Sequence, residues 1–63
     1  MHIELQNGKM LNTFRLADVK QGYSNKKSVV IYLTNGTKIL EGLYKTEEEA
    51  NNRVEELREN IKY

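Results

Sequence analysis

The chain has 63 residues, no Cys, no Pro and one His, and its 10 Lys and Arg against 9 Asp and Glu give a net charge of +1. That length permits one domain and no second core, and the lack of Cys excludes a disulfide scaffold and a thiolate metal site. No apolar run is long enough for a membrane span or a signal peptide, so a cytoplasmic protein without a membrane partner is the expectation.

The near-neutral sum hides a split. Residues 1–45 hold seven Lys and Arg against three Asp and Glu, a balance of +4, whereas residues 46–63 hold three against six, a balance of −3. Apolar residues make up 38% of the chain and come in periodic runs, which marks a folded domain rather than a disordered one. With so small a core, either efficient packing of a sheet on a helix or self-association must supply stability.

In chain order, the alternating segment His2-Ile3-Glu4-Leu5-Gln6 leads into Asn7-Gly8 and Lys9-Met10-Leu11. Asn-Gly between two strand-like runs predicts a two-residue type I′ hairpin, pairing Leu5 with Met10 and Ile3 with Asn12. The second pair is a poor match, so a break or bulge is expected near Asn12-Thr13. Another run extends from about Phe14 to Val19 or Lys20. Its faces stay open, because Phe14 and Leu16 share one parity while Ala17 and Val19 share the other.

Gly22-Tyr23-Ser24-Asn25-Lys26-Lys27 reads as an exposed loop. Ser28 to Thr34 is the clearest strand, β-branched and aromatic throughout. A second Asn-Gly, Asn35-Gly36, turns it back into Thr37 to Tyr44. Pairing outward from that turn sets Tyr32 opposite Ile39 and Ile31 opposite Leu40. One face then carries Val29, Ile31, Leu33, Leu40, Gly42 and Tyr44. The other carries Val30, Tyr32, Thr34, Thr37, Ile39 and Leu43, with Glu41.

The last element is a helix over 46–62. Thr46-Glu47-Glu48-Glu49 is a capping box, with the Thr46 hydroxyl accepting an amide and Glu49 reaching back. Its three acids suit the positive end of the helix dipole. Ala50, Val54, Leu57 and Ile61 form one narrow apolar stripe, and Glu49 and Arg53 stand at i,i+4. The sheet is the only partner for that stripe, and Gly42 is expected to let the helix backbone come close. The fold class is therefore α+β in a single domain: an antiparallel sheet of about four strands over 2–45, with one helix packed on one face.

No catalytic, metal-binding or cofactor-binding residue is assigned, and no enzyme is expected. His2 is the sole His, with no Cys or second His to make a nucleophile pair or zinc site. Ser24 and Ser28 lack a nucleophile elbow. Glu47, Glu48 and Glu49 are consecutive on a helix and point in different directions, so capping and solvation account for them. The four glycines at 8, 22, 36 and 42 are isolated and form no phosphate-cradling loop.

Two binding surfaces remain. With one helix to cover two sheet faces, Val30, Tyr32, Ile39 and Leu43 form an apolar set that is left partly exposed as an interaction surface, unless the run from Phe14 to Val19 curls over it into a half-barrel. The exposed case points to a homodimer, or to contact with another protein. The alternative is a nucleic-acid-binding module in the basic sheet half, using Tyr23, Lys26, Lys27 and Lys38, because Lys beside exposed aromatics is the platform used for single strands. The excess of +4 is small for that purpose, and Lys at strand edges also serves simply to protect them.

The segment Gly42-Leu43-Tyr44-Lys45-Thr46-Glu47-Glu48-Glu49-Ala50 resembles the G-x-Y-x-T-x-E-E-A pattern that closes small proteins of Gram-positive bacteria and their phages. Those chains also open with a short strand, Asn/Asp-Gly and Lys, and the resemblance is loosest between Phe14 and Lys27. The pattern is structural, spanning a strand end, an N-cap and a first helical turn. It implies a small bacterial or phage-related accessory protein and carries no catalytic role. The pair Leu5-Gln6-Asn7-Gly8 and Leu33-Thr34-Asn35-Gly36 is also similar to the repeated Leu-x-Asn-Gly of FlbD-like flagellar proteins. This chain has Lys26-Lys27-Ser28 where those have Pro-Asp before the central strand, so no flagellar role is carried over.

Overall fold

The computed structural model describes residues 2–59. Its α+β architecture holds two antiparallel sheets and one helix among those residues. Strands β1 (His2–Glu4) and β2 (Met10–Asn12) form a two-stranded sheet, and β3 (Leu16–Gln21), β4 (Ser28–Leu33) and β5 (Lys38–Leu43) form a three-stranded sheet in that order. Helix α1 spans Glu47–Arg58. The strands thus number five in two sheets, not about four in one. The cause is a 3₁₀ turn at Thr13–Arg15, capped by the Asn12 side chain accepting from the Phe14 amide. It separates β2 from β3 near the expected break.

Both Asn-Gly hairpins differ from the expected two-residue type in the same way. The Gly8 amide donates to the Leu5 carbonyl at 2.9 Å and the Leu5 amide to the Lys9 carbonyl at 2.8 Å. The second hairpin repeats this from Gly36 to Leu33 at 3.0 Å and from Leu33 to Thr37 at 2.7 Å. Only the glycines take positive φ, Gly8 at 89° and Gly36 at 88°. The Asn side chains fold back to accept from the amides of Lys9 and Thr37. Each loop is therefore a turn closed by a glycine bulge, with three residues between paired positions. The extra residue slips each register by one: Ile3 pairs with Leu11, and Ile31 with Ile39 rather than Leu40.

Two further bulges adjust the faces. On β3, Leu16 pairs with Leu33 and Asp18 with Tyr32, leaving Ala17 extra. Leu16 and Val19, of opposite parity, consequently both turn inward and are buried. On β5, Leu40 pairs with Val30 and Gly42 with Val29, leaving Glu41 extra. The inner face holds Val19, Val29, Ile31 and Leu33, with Ile39 and Tyr44 at its margin. Against it pack Ala50, Val54 and Leu57 of α1, together with Ile3, Leu5 and Leu11 of the first hairpin. Expected stripe member Ile61 and the helix end at 62 lie outside the described residues.

The helix start is as expected in kind. The Glu49 amide donates to Thr46 Oγ1 at 3.1 Å, and the Lys45 amide donates to Glu49 Oε2 at 3.2 Å. Arg53 does not turn to Glu49; it pairs with Glu56 at 2.9 Å and reaches across to Glu41. Gly42 makes room for Gln6 rather than for the helix: a Cβ there would fall 2.6 Å from the Gln6 Cβ.

Candidate interaction surface

Helix α1 packs against β3 and β4 on the inner face of the larger sheet. Cross-strand pairing places Asp18, Tyr32 and Lys38 in one row on the outer face, and Lys20, Val30 and Leu40 in the next. Leu43 follows beyond them, opposite Ser28. Leu40 is 54% exposed and Leu43 56% exposed, while Val30 and Tyr32 are half-buried. The segment Phe14–Val19 does not curl over this face. Phe14 and Arg15 lie in the 3₁₀ turn, and from Leu16 the chain continues the same sheet as β3, with Leu16 and Val19 turned to the inner core. Lys20 Nζ lies 5.8 Å from the Tyr32 ring centroid and 3.7 Å from Asp18 Oδ2.

Of the four residues expected to form this surface, Val30, Tyr32 and Leu43 lie on the outer face. Ile39 does not: it packs against the core, and Leu40 takes the outer position. The one-residue slip at Asn35-Gly36 causes the exchange, because a register shift of one sends neighbouring side chains to opposite faces.

The free edges of this sheet are interrupted by side chains. On β5 the Gln6 amide group pairs with the Leu43 backbone in both directions, its Nε2 donating to the Leu43 carbonyl at 2.6 Å and its Oε1 accepting from the Leu43 amide at 2.8 Å. On β3 the Val19 amide donates to Asp18 Oδ1 at 2.8 Å, and Arg58 Nε donates to the Val19 carbonyl at 2.9 Å. Such blocking disfavours strand addition from another chain. The outer face is left as the more accessible surface of the sheet.

The residues expected to contact nucleic acid do not converge. Tyr23, Lys26 and Lys27 lie in the loop before Ser28, fully exposed in the case of Tyr23. Lys38 pairs with Tyr32 at the other end of β4. Four strand residues separate the two groups, roughly 13 Å.

The most heavily bonded polar site among the described residues was not visible in the sequence, where Glu41 belongs to the opposite face. The β5 bulge and the register slip turn it inward, leaving it 1% exposed. It accepts from the Gln6 amide at 3.0 Å, the Tyr44 hydroxyl at 2.5 Å and Arg53 Nε at 3.3 Å, and it pairs with Arg53 Nη2 at 3.2 Å. Arg53 Nη2 also donates to the Glu4 carbonyl at 2.8 Å. Desolvation and the hydrogen bond to Glu41 push the Tyr44 hydroxyl up to about 12. Burial works against the Arg53 guanidinium, but the bond to Glu41 and its charge outweigh it, so that pKa is raised. The cluster ties the first hairpin, β5 and α1 together, and none of its buried side-chain polar atoms lacks a hydrogen-bond partner. The sequence signal for it was an acid set among the apolar residues Ile39, Leu40 and Leu43 of its strand.

No helix among the described residues is long and apolar enough to cross a membrane. Comparisons with family models, curated proteins and solved structures find no match to this chain. Fold and surface define the class: a small α+β protein whose larger sheet has one covered face and one open face.

Proposed function

We propose that this is a non-catalytic accessory protein, of the bacterial or phage-related kind its C-terminal pattern resembles, that acts by protein–protein contact and self-associates through the outer face of β3–β4–β5. The supporting observation is the contrast between the two faces: α1 and the first hairpin cover the inner one, while the outer one presents Val30, Tyr32, Leu40 and Leu43. Contiguous apolar residues on an open face mark an interaction site more often than singly scattered ones do. The blocked edges favour the face over strand addition.

The contact is small. Three strands of six residues span about 14 by 20 Å, short of the ~800 Å² per partner of a standard stable interface. A reversible dimer with concentration-dependent mass is therefore expected. Sedimentation equilibrium over a wide concentration range tests this. The mass of the unmodified chain should rise toward the dimer, and that of Leu40→Glu should stay monomeric with an unchanged circular-dichroism spectrum. A monomer at the highest soluble concentration would overturn the reading.

A further inference from the structure

We infer that the partner on the outer face is a second copy of this chain, stacked sheet on sheet about a two-fold axis parallel to β4, so that Asp18 of each copy meets Lys38 of the other. This inference rests on the self-association reading above and adds an arrangement to it.

The argument comes from the order of charges across the sheet. The row Asp18–Tyr32–Lys38 is acidic at its β3 end and basic at its β5 end. A closed two-fold contact brings the same patch of both copies together. Rotation about an axis along β4 exchanges the β3 and β5 ends but keeps each row at its own height. The acidic end of one row then falls on the basic end of the same row in the partner, twice per dimer. Val30 then faces Val30, and Tyr32 faces Tyr32 with the Lys20 ammonium of each copy at the ring. The Lys20 stem covers the partner's Leu40, as long cationic side chains do over apolar surface.

An in-plane axis running across the strands leaves β3 over β3. Through the row Lys20–Val30–Leu40 it sets Lys20 against Lys20, and like charges placed together disfavour such a contact. Between the two rows it sets Asp18 against Lys20 but lays Lys38 over Leu40, leaving Lys38 without an opposite charge. Aligned sheets cross at about −30°, a rotation that moves the row ends by only a few ångströms, within reach of a Lys side chain.

Both side chains reach solvent. Asp18 is held in place by accepting from the Val19 amide at 2.8 Å, and its side chain is 41% exposed. It already forms ion pairs of 3.7 Å with Lys20 and Arg58, so a partner lysine there shares the carboxylate with two cations of the same chain as Asp18. Lys38 is exposed and forms no ion pair among the described residues.

The experiment mixes two complementary variants. Lys38→Glu alone places Asp18 against Glu at both contacts, and Asp18→Lys alone places Lys against Lys38. Each variant by itself should dimerise about tenfold more weakly than the unmodified chain, or worse. A one-to-one mixture should recover near-native affinity as a heterodimer, because each chain then offers the charge the other needs. A fold defect in a single variant is not repaired by mixing, so recovery is specific to the contact.

Where a variant fails to fold, zero-length carbodiimide cross-linking of the unmodified chain decides. A mixture of isotopically light and heavy chains should yield an inter-chain Asp18–Lys38 link in mass spectrometry. A native dimer that both variants leave unchanged, a dimer without that link, or growth beyond two chains overturns the arrangement while leaving self-association intact. A monomeric native chain overturns both.

Discussion

Glu41 shows how much one side chain can carry in a domain of this size. A carboxylate with 1% exposure is costly to bury unless its lone pairs are filled, and removing one partner of a buried pair costs about 3–5 kcal/mol. Total stability near 0.05–0.15 kcal/mol per residue amounts to only roughly 3–9 kcal/mol for such a chain. Arg53→Ala, which strands the buried carboxylate, is expected to consume most of that, read as a large fall in the urea midpoint or loss of the folded baseline. Tyr44→Phe removes a single neutral donor and should cost about 1–2 kcal/mol. The phenol also has a pH signature. Its pKa is raised from 10.0 to about 12 in the folded protein, so the folded state holds that proton more tightly than the unfolded one. Its stabilisation is therefore full below pH 10 and is lost as pH rises through 12. Ultraviolet titration should show one phenol ionising late in the native chain and absent from Tyr44→Phe, whose stability should fall less steeply over that interval.

At the scale of elements, the turns decide which side chains face which way. Both Asn-Gly pairs form hairpins, but only the glycine of each adopts positive φ, and the resulting bulge shifts the register by one. Gly36 has open space where a Cβ would stand, so strain there comes from the backbone alone. Gly36→Ala should cost about 1 kcal/mol, whereas Asn, which tolerates the left-handed region better, should cost less. Thermal unfolding of the two variants provides the check, and equal losses would point to packing instead. The helix contrasts with the turns: a capping residue, three acids and a stripe at helical spacing sufficed to locate it, because those signals are local and α1 follows them.

At the scale of the whole molecule, neighbouring residues Ile39 and Leu40 have opposite duties. Ile39 packs against the core and Leu40 is 54% exposed on the outer face. Ile39→Asp puts a charge beside the core and should lower monomer stability by about 2 kcal/mol or more. Leu40→Asp should leave monomer stability within about 0.5 kcal/mol and act on association alone. Denaturation at low concentration, set beside mass at high concentration, separates the two effects. The charge split acquires a location at this scale as well. Lys26 and Lys27 sit at one end of β4 and Lys38 pairs near the other, so the basic excess is spread over loops and both ends of the sheet.

The amino-acid sequence by itself determined the α+β class, the two hairpin sites, the break after Asn12, the strand from Ser28 and the capped helix. Each depends on neighbours in the chain: turn residues, β-branched runs, a capping box and a 3.6-residue stripe. Only the tertiary structure decided the number of sheets, the inward turn of both Leu16 and Val19, the burial of Glu41, and the exchange of Ile39 for Leu40 on the open face. The physical reason is that strand faces alternate with a period of two, so every bulged residue reverses the assignments beyond it. Four such bulges, at Gly8, Ala17, Gly36 and Glu41, occur among the described residues. Where a bulge settles depends on contacts distant in sequence, as when Gln6 fills the space left by Gly42 and Arg53 reaches Glu41 from the helix.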